Sequence, residues 1–310
     1  MIFKVWAIAL NTFREAVRDR VLYGVLFFAT AILLFTLALA ELSLSEQRRV
    51  VMDVGLASIS LFSVVIAVFL GSSLLYKEIE KKTLYVILPK PLRRSTFLLG
   101  KYVGISLTGA TFIALMGAVQ LWVAAIQADA DLWLLAAFPV TLGAVLAASL
   151  IKARDRTAVL VPFSLVALAG SAAVAATTDA DIAIILSSLV LSAGEVMVVA
   201  AIALLFSSFS TPFLTGAFTL GFWLVGRSAD DMANMPGGIL GEDVKASLGV
   251  LAEVVPNFNL FVPGRNTLVA TSEVHGGPWL YVAETMGYGT LYTVVVLALA
   301  AVIFRRRDFL

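Results

Sequence analysis

One carboxylate stands inside an otherwise apolar stretch: Glu195, in SLVLSAGEVMVVAAIALLF. A charge at membrane depth is costly, so such a group faces the protein interior or a wet cavity and finds a partner there. Two readings follow, a translocation-path or gating residue and an interhelical hydrogen-bond site, and the sequence leaves both open. Other reactive chemistry is scarce. With no cysteine in the chain, disulfides, thiolate metal sites and thiol catalysis are excluded. There is no G-x-x-x-x-G-K-S/T phosphate loop, so the chain is not expected to bind and hydrolyse ATP by itself. H-E-x-x-H is missing too, and the single histidine, His275, falls in a Gly-rich loop and reads as solvated. Ser192-Ala193-Gly194 and Gly71-Ser72-Ser73 are small residues in apolar helices, better suited to close packing than to nucleophilic attack. No catalytic residue and no metal site is expected.

The second stretch that could do work is Tyr76–Lys101, YKEIEKKTLYVILPKPLRRSTFLLGK, which holds seven of the chain's 22 basic residues. A helix-compatible segment, Lys77 to Leu88, ends at Pro89-Lys90-Pro91, where each proline removes a backbone donor and pushes the preceding residue toward extended geometry. Ser95 then has the character of an N-cap for the next helix. Acidic Glu78 and Glu80, basic Lys81 and Lys82, Thr83 and the apolar Leu84, Val86 and Ile87 form a compact surface of mixed charge. Such a surface suits a soluble partner.

The elements that position these groups are membrane helices. The 310 residues are 60% hydrophobic with a mean hydropathy of +0.98, far above a soluble domain. Several apolar runs reach the roughly 20 residues that cross a hydrocarbon core of about 30 Å. Expected spans are 21–40, 54–76, 97–126, 132–150, 158–176, 182–206, 213–225 and 280–304, the seventh short enough to be re-entrant instead. Residues 2–19 precede them as an amphipathic, interfacial helix, with Phe3, Trp6, Leu10, Phe13 and Val17 at helical spacing. If both termini lie inside, 17 of the 22 basic residues fall on the cytoplasmic side, the positive-inside pattern. Arg227 is then counted outside, in an extracytoplasmic segment 226–279 that is broken by Pro and Gly and has a candidate helix at 244–255. The chain reads as a single all-α transmembrane domain, 1–310, in which 76–101 is a cytoplasmic coupling elbow.

The elbow, from Lys77-Glu78-Ile79-Glu80-Lys81-Lys82-Thr83-Leu84 through Pro89 and Pro91 to Phe97-Leu98-Leu99-Gly100-Lys101, resembles the cytoplasmic loop of ABC-2 type transporter permeases. Further matching stretches are ALNTFREAVRDR (9–20), LASISLFSVVIAVFLG (56–71), ALLFSSFSTP (203–212), VPNFNLF (255–261) and FRRRDF (304–309). Within the family the sequence is most similar to the bacterial branch that includes the copper-maturation (nitrous-oxide reductase) permeases. The resemblance implies a dimeric membrane subunit of the bacterial inner membrane, an exporter driven by a separate ATPase that carries the ATP and Mg. That ATPase would grip the first helix, with Arg14 and Glu15, and the elbow at Glu78, Glu80, Lys81, Lys82, Thr83 and Leu84. One departure stands out. The family core has six spans, and here a hairpin, 132–176, is inserted after the third, giving about eight. The alternatives are a mechanotransmission protein with no transported substrate, which the sequence leaves open, and a secondary transporter. The latter would need matched carboxylates or repeats, and one Glu195 without a visible repeat argues against it.

Overall fold

The computed structural model describes residues 2–43, 46–80, 94–153, 155, 157–233, 255–262, 268 and 277–306, and of residues 74–80, 231, 233 and 306 only the backbone. Among these residues every regular element is helical. Nine helices carry the fold: α1 (Ile2–Val17), α2 (Arg20–Leu42), α3 (Gln47–Glu80), α4 (Arg94–Gln127), α5 (Leu132–Lys152), α6 (Leu160–Ala175), α7 (Ile182–Ser207), α8 (Pro212–Arg227) and α9 (Pro278–Arg306). A single turn at Ala229–Ala233 and a 3-10 turn at Phe258–Phe261 lie between α8 and α9. Six of the helices, α2, α3, α4, α5, α7 and α9, are long and apolar enough to cross a membrane; α6 and α8 have 16 residues each.

Local chemistry sets the boundaries. Asp19 caps α2, its carboxylate accepting from the Val21 N–H at 3.1 Å, and Asp131 caps α5 in the same way toward Trp133. Pro212 opens α8 at a position where a missing N–H costs nothing. Residues 77–80 of the helix-compatible segment continue α3, which runs without a break from Gln47 to Glu80, and its residues 81–88 lie outside the described residues. One sequence expectation is corrected here: Ser95 does not cap α4, which already includes Arg94. At 1.5 Å per residue, α3 and α4, 34 residues each, are about 51 Å long and overshoot a hydrocarbon core of about 30 Å.

α7 forms the centre, packed on α3, α4 and α9, and α4 is enclosed on its other side by α1 and α6. α1 lies against α4 through a buried stripe of mostly small residues around one large ring, Ala9, Thr12, Phe13, Ala16 and Val17. The apolar face expected for α1 is thereby divided: Phe13 and Val17 are buried, while Phe3 and Trp6 are exposed. Close approach is made possible by glycines on α4. A Cβ at Gly100 would sit 2.6 Å from Ile8, and one at Gly104 would sit 2.5 Å from Thr12.

Candidate functional site

Glu195 lies midway along α7, about 18–20 Å from either end of the helix. It is completely buried and gathers three donors from two neighbouring helices. Ser60 Oγ on α3 donates to Oε2 at 2.6 Å. Trp223 Nε1 and Arg227 Nη1, both on α8, donate to Oε1 at 2.8 and 3.1 Å. The Arg227 guanidinium also lies 5.8 Å from the Trp223 ring. Each unmet polar group at this depth would cost several kcal/mol, and here the carboxylate has a cation and two neutral donors. Arg227, counted outside from the sequence, instead turns inward from the last residue of α8. There its charge also complements the helix C-terminus. The hairpin geometry carries this pairing: α8 folds back along α7 after a four-residue turn. Glu195 lies 12 residues before the end of α7 and Trp223 lies 11 after the start of α8.

The segment 255–262 sits beside this cluster rather than only capping the bundle. Phe258 and Phe261 are buried, at 0% and 1% exposure. Phe261 occupies the space that a side chain at Gly194 or Gly289 would need, and the Pro256 carbonyl rests on Gly226. The Tyr281 hydroxyl donates to the Leu260 carbonyl at 2.8 Å, and the Asn257 side chain donates to Asp230 at 2.6 Å. Residues 244–254 of the candidate outer helix and His275 lie outside the described residues.

At the opposite, basic end, three helices are tied together where the elbow enters α4. Lys101 is buried, with Nζ 3.8 Å from Glu15 Oε2 on α1 and 5.8 Å from the Phe97 ring. Arg94 donates to the last carbonyls of α9, to Arg305 at 3.0 Å and Phe304 at 3.3 Å, and so caps that helix. The Phe97 and Phe304 rings stack at 6.4 Å. Arg14 Nε donates to Asp155 at 2.8 Å, joining α1 to the turn between α5 and α6. The Asp155 carboxyl is held below the usual carboxylate range, first by the Thr157 hydroxyl and then by Arg14. Asp155 was not singled out by sequence, since nothing local marks a partner 141 positions away. Of the remaining elbow residues, Glu78 and Glu80 contribute backbone to α3 but their side chains are not described. Lys81, Lys82, Thr83 and Leu84 lie outside the described residues. No group of three or more potential metal ligands occurs among the described residues.

These features define a polytopic helical membrane domain braced internally by a buried ion pair and, at its basic end, by ties between α1, α4 and α9. The family model for ABC-2 family transporter protein matches residues 6–309, and the chain belongs to that family. It is therefore a multi-pass membrane permease subunit of an ABC transporter. No curated protein matches the chain.

Proposed function

We propose that the chain is driven by a separate ATPase that docks on the basic end, and that it works as a homodimeric exporter in a bacterial inner membrane. ATP and Mg belong to that ATPase. The observation that carries this reading is the mechanical continuity of the basic end. α1, the start of α4 and the end of α9 are joined by Glu15–Lys101 and by Arg94 on the α9 carbonyls. A push on the elbow, delivered through Glu78, Glu80, Lys81, Lys82, Thr83 and Leu84, would therefore move α3 and α4 together with the helices bonded to them. ATP-dependent closure of two ATPases supplies differential binding to two arrangements, which is what shifts such an equilibrium. The fully satisfied environment of Glu195 supports its reading as a clamp holding α8 on α7 and α3, rather than a side chain that lines a path.

Co-expression with a candidate ABC ATPase subunit tests the proposal. The wild-type pair is expected to purify as one complex. Glu80→Arg with Leu84→Asp should abolish ATPase capture while the permease still inserts and elutes as a single species. Capture of the ATPase by the double variant at the wild-type level would place the docking site elsewhere.

A further inference from the structure

α3 is fastened to the bundle in two sections. The section far from the basic end, 47–51, is tied to α4 and α2. Gln127 Nε2 donates to Gln47 Oε1 at 3.0 Å, and Val51 packs with Ala40 and Val123. The section toward the basic end is tied to α7. Ser60 holds Glu195 at 2.6 Å, and a Cβ on Gly71 would collide with Ala203. Gly55 lies between the two sections.

Gln120 of α4 reaches α3 at this boundary. It is fully buried, and its Nε2 donates to the Val51 carbonyl at 3.0 Å. A carbonyl only accepts, so this contact fixes the orientation of the amide and turns Oε1 toward Gly55. A Cβ on Gly55 would lie 2.7 Å from Gln120 Cδ and closer still to Oε1, so the amide fits only against glycine. Oε1 itself is buried and has no hydrogen-bond partner, a costly state for an acceptor inside a membrane bundle.

The imbalance has a local remedy. In an unbroken helix the Gly55 N–H donates to the Val51 carbonyl, the same oxygen that Gln120 Nε2 serves. That oxygen therefore has two donors while Oε1 has none. If the turn opens, the Gly55 N–H passes to Oε1. Each oxygen then has one donor, and the number of hydrogen bonds is unchanged. A primary amide can do this because it presents N–H and C=O side by side, as a peptide unit does. The next turn is loosened as well: Ser58 Oγ donates back to the Val54 carbonyl at 2.7 Å, a contact that bends helices. Insertion of a side chain into the helical ladder is a recognised cause of sharp kinks.

We infer that α3 hinges at Gly55 and that Gln120 is the latch, its amide replacing the Val51–Gly55 hydrogen bond when the helix bends. The inference rests on the ATPase-driven reading above. The section toward the basic end follows the elbow, while 47–51 stays with α2 and α4. A kink of about 20° would move Val65, roughly 15 Å along the helix from Gly55, by about 5 Å.

Spin-label pairs introduced into this cysteine-free chain test the hinge in the complex with the ATPase. Leu34→Cys on α2 is paired with Val65→Cys or with Arg49→Cys, all three at exposed positions. On addition of ATP the Leu34–Val65 distance should shift and the Leu34–Arg49 distance should not. Gln120→Met, close in volume but without the amide, should melt near the wild-type temperature. It should nevertheless lower the population of the shifted Leu34–Val65 distance about five-fold, the worth of one hydrogen bond. If that variant does not accumulate, Gln120→Leu makes the same test. Equal shifts in both pairs would show α3 moving as one rod and overturn the hinge. A full shift in the variant would overturn the latch. If Lys4→Cys and Asp53→Cys move apart or together with ATP while Leu34–Val65 stays still, the hinge fails and the ATPase-driven reading stands.

Discussion

α4 and α5 are neighbours in the chain, joined by the short turn 128–131, and α5 is the more apolar of the two. Yet 22 of the 34 residues of α4 are buried and none of the 21 in α5. Both helices carry small residues, so composition does not explain the contrast. What differs is whether each small residue faces a knob. On α4, Gly100 meets Ile8, Gly104 meets Thr12, Gly109 meets Val196 and Gly117 meets Leu189; nothing lies within 4 Å of a Cβ built on Gly143 of α5. In a bilayer the hydrophobic effect does not distinguish a neighbouring helix from lipid, so shape decides which helices associate. Hydropathy brings both helices into the membrane; only complementary volume makes one of them core.

That contrast can be broken by mutation. Gly104→Leu should be the most damaging change, costing about 1–3 kcal/mol or more through overpacking of the α1–α4 seam, whereas Gly143→Leu should stay within about 0.5 kcal/mol of wild type. Thermal unfolding of the two variants in detergent, compared side by side, measures the difference; equal losses would remove the distinction between the helices. Next in size is Glu195→Leu, which strips Ser60, Trp223 and Arg227 of their shared acceptor and should cost about 1–3 kcal/mol. A melting temperature unchanged by this substitution would mean that the buried cluster does not brace the core.

The smallest effect is expected at the hairpin's own tie. Arg14→Ala should move the melting temperature little, because the Arg14–Asp155 pair is partly open to solvent. Its pH dependence is nevertheless defined. The Asp155 carboxyl is depressed in the folded chain, so the contact persists at neutral and mildly acidic pH and is lost only as pH falls through that lowered value. Hydrogen exchange around 157–160 should therefore be constant from about pH 7 down to pH 5, above the ordinary Asp range near 4. Faster exchange already at the upper end of that window, after correction for its intrinsic pH dependence, would refute the tie.

The two halves of this comparison were not equally legible in the sequence. Each expected span coincides with a helix, even the brief 213–225, because apolar length is a local property. That 132–176 holds two helices could be read off for the same reason. Which faces meet could not. The partner of Glu195 was demanded by its depth, but Arg227 was assigned to the outer loop because α8 was judged by its apolar residues and not by its fold back along α7. Asp155 and the inward packing of Phe258 and Phe261 depend on contacts far apart in the chain, for which a single sequence offers no signal. In α1 the periodicity was visible, but the tight seam rests on Ile8 facing Gly100 and on Ala9 and Thr12 facing Gly104, a fit between two helices that a single sequence does not display.

Under the proposed function, force from a separate ATPase enters at the basic end and is carried through α1 and α4 into the core. A chain without cysteine allows direct measurement, with spin labels at Lys4→Cys on α1 and Asp53→Cys on the far part of α3, read by pulsed electron resonance in lipid nanodiscs. The distance distribution should shift when ATP is added to the complex with the ATPase, and ATP should leave the permease alone unchanged. A shift in the permease alone, or no shift in a complex that is hydrolysing ATP, would contradict it.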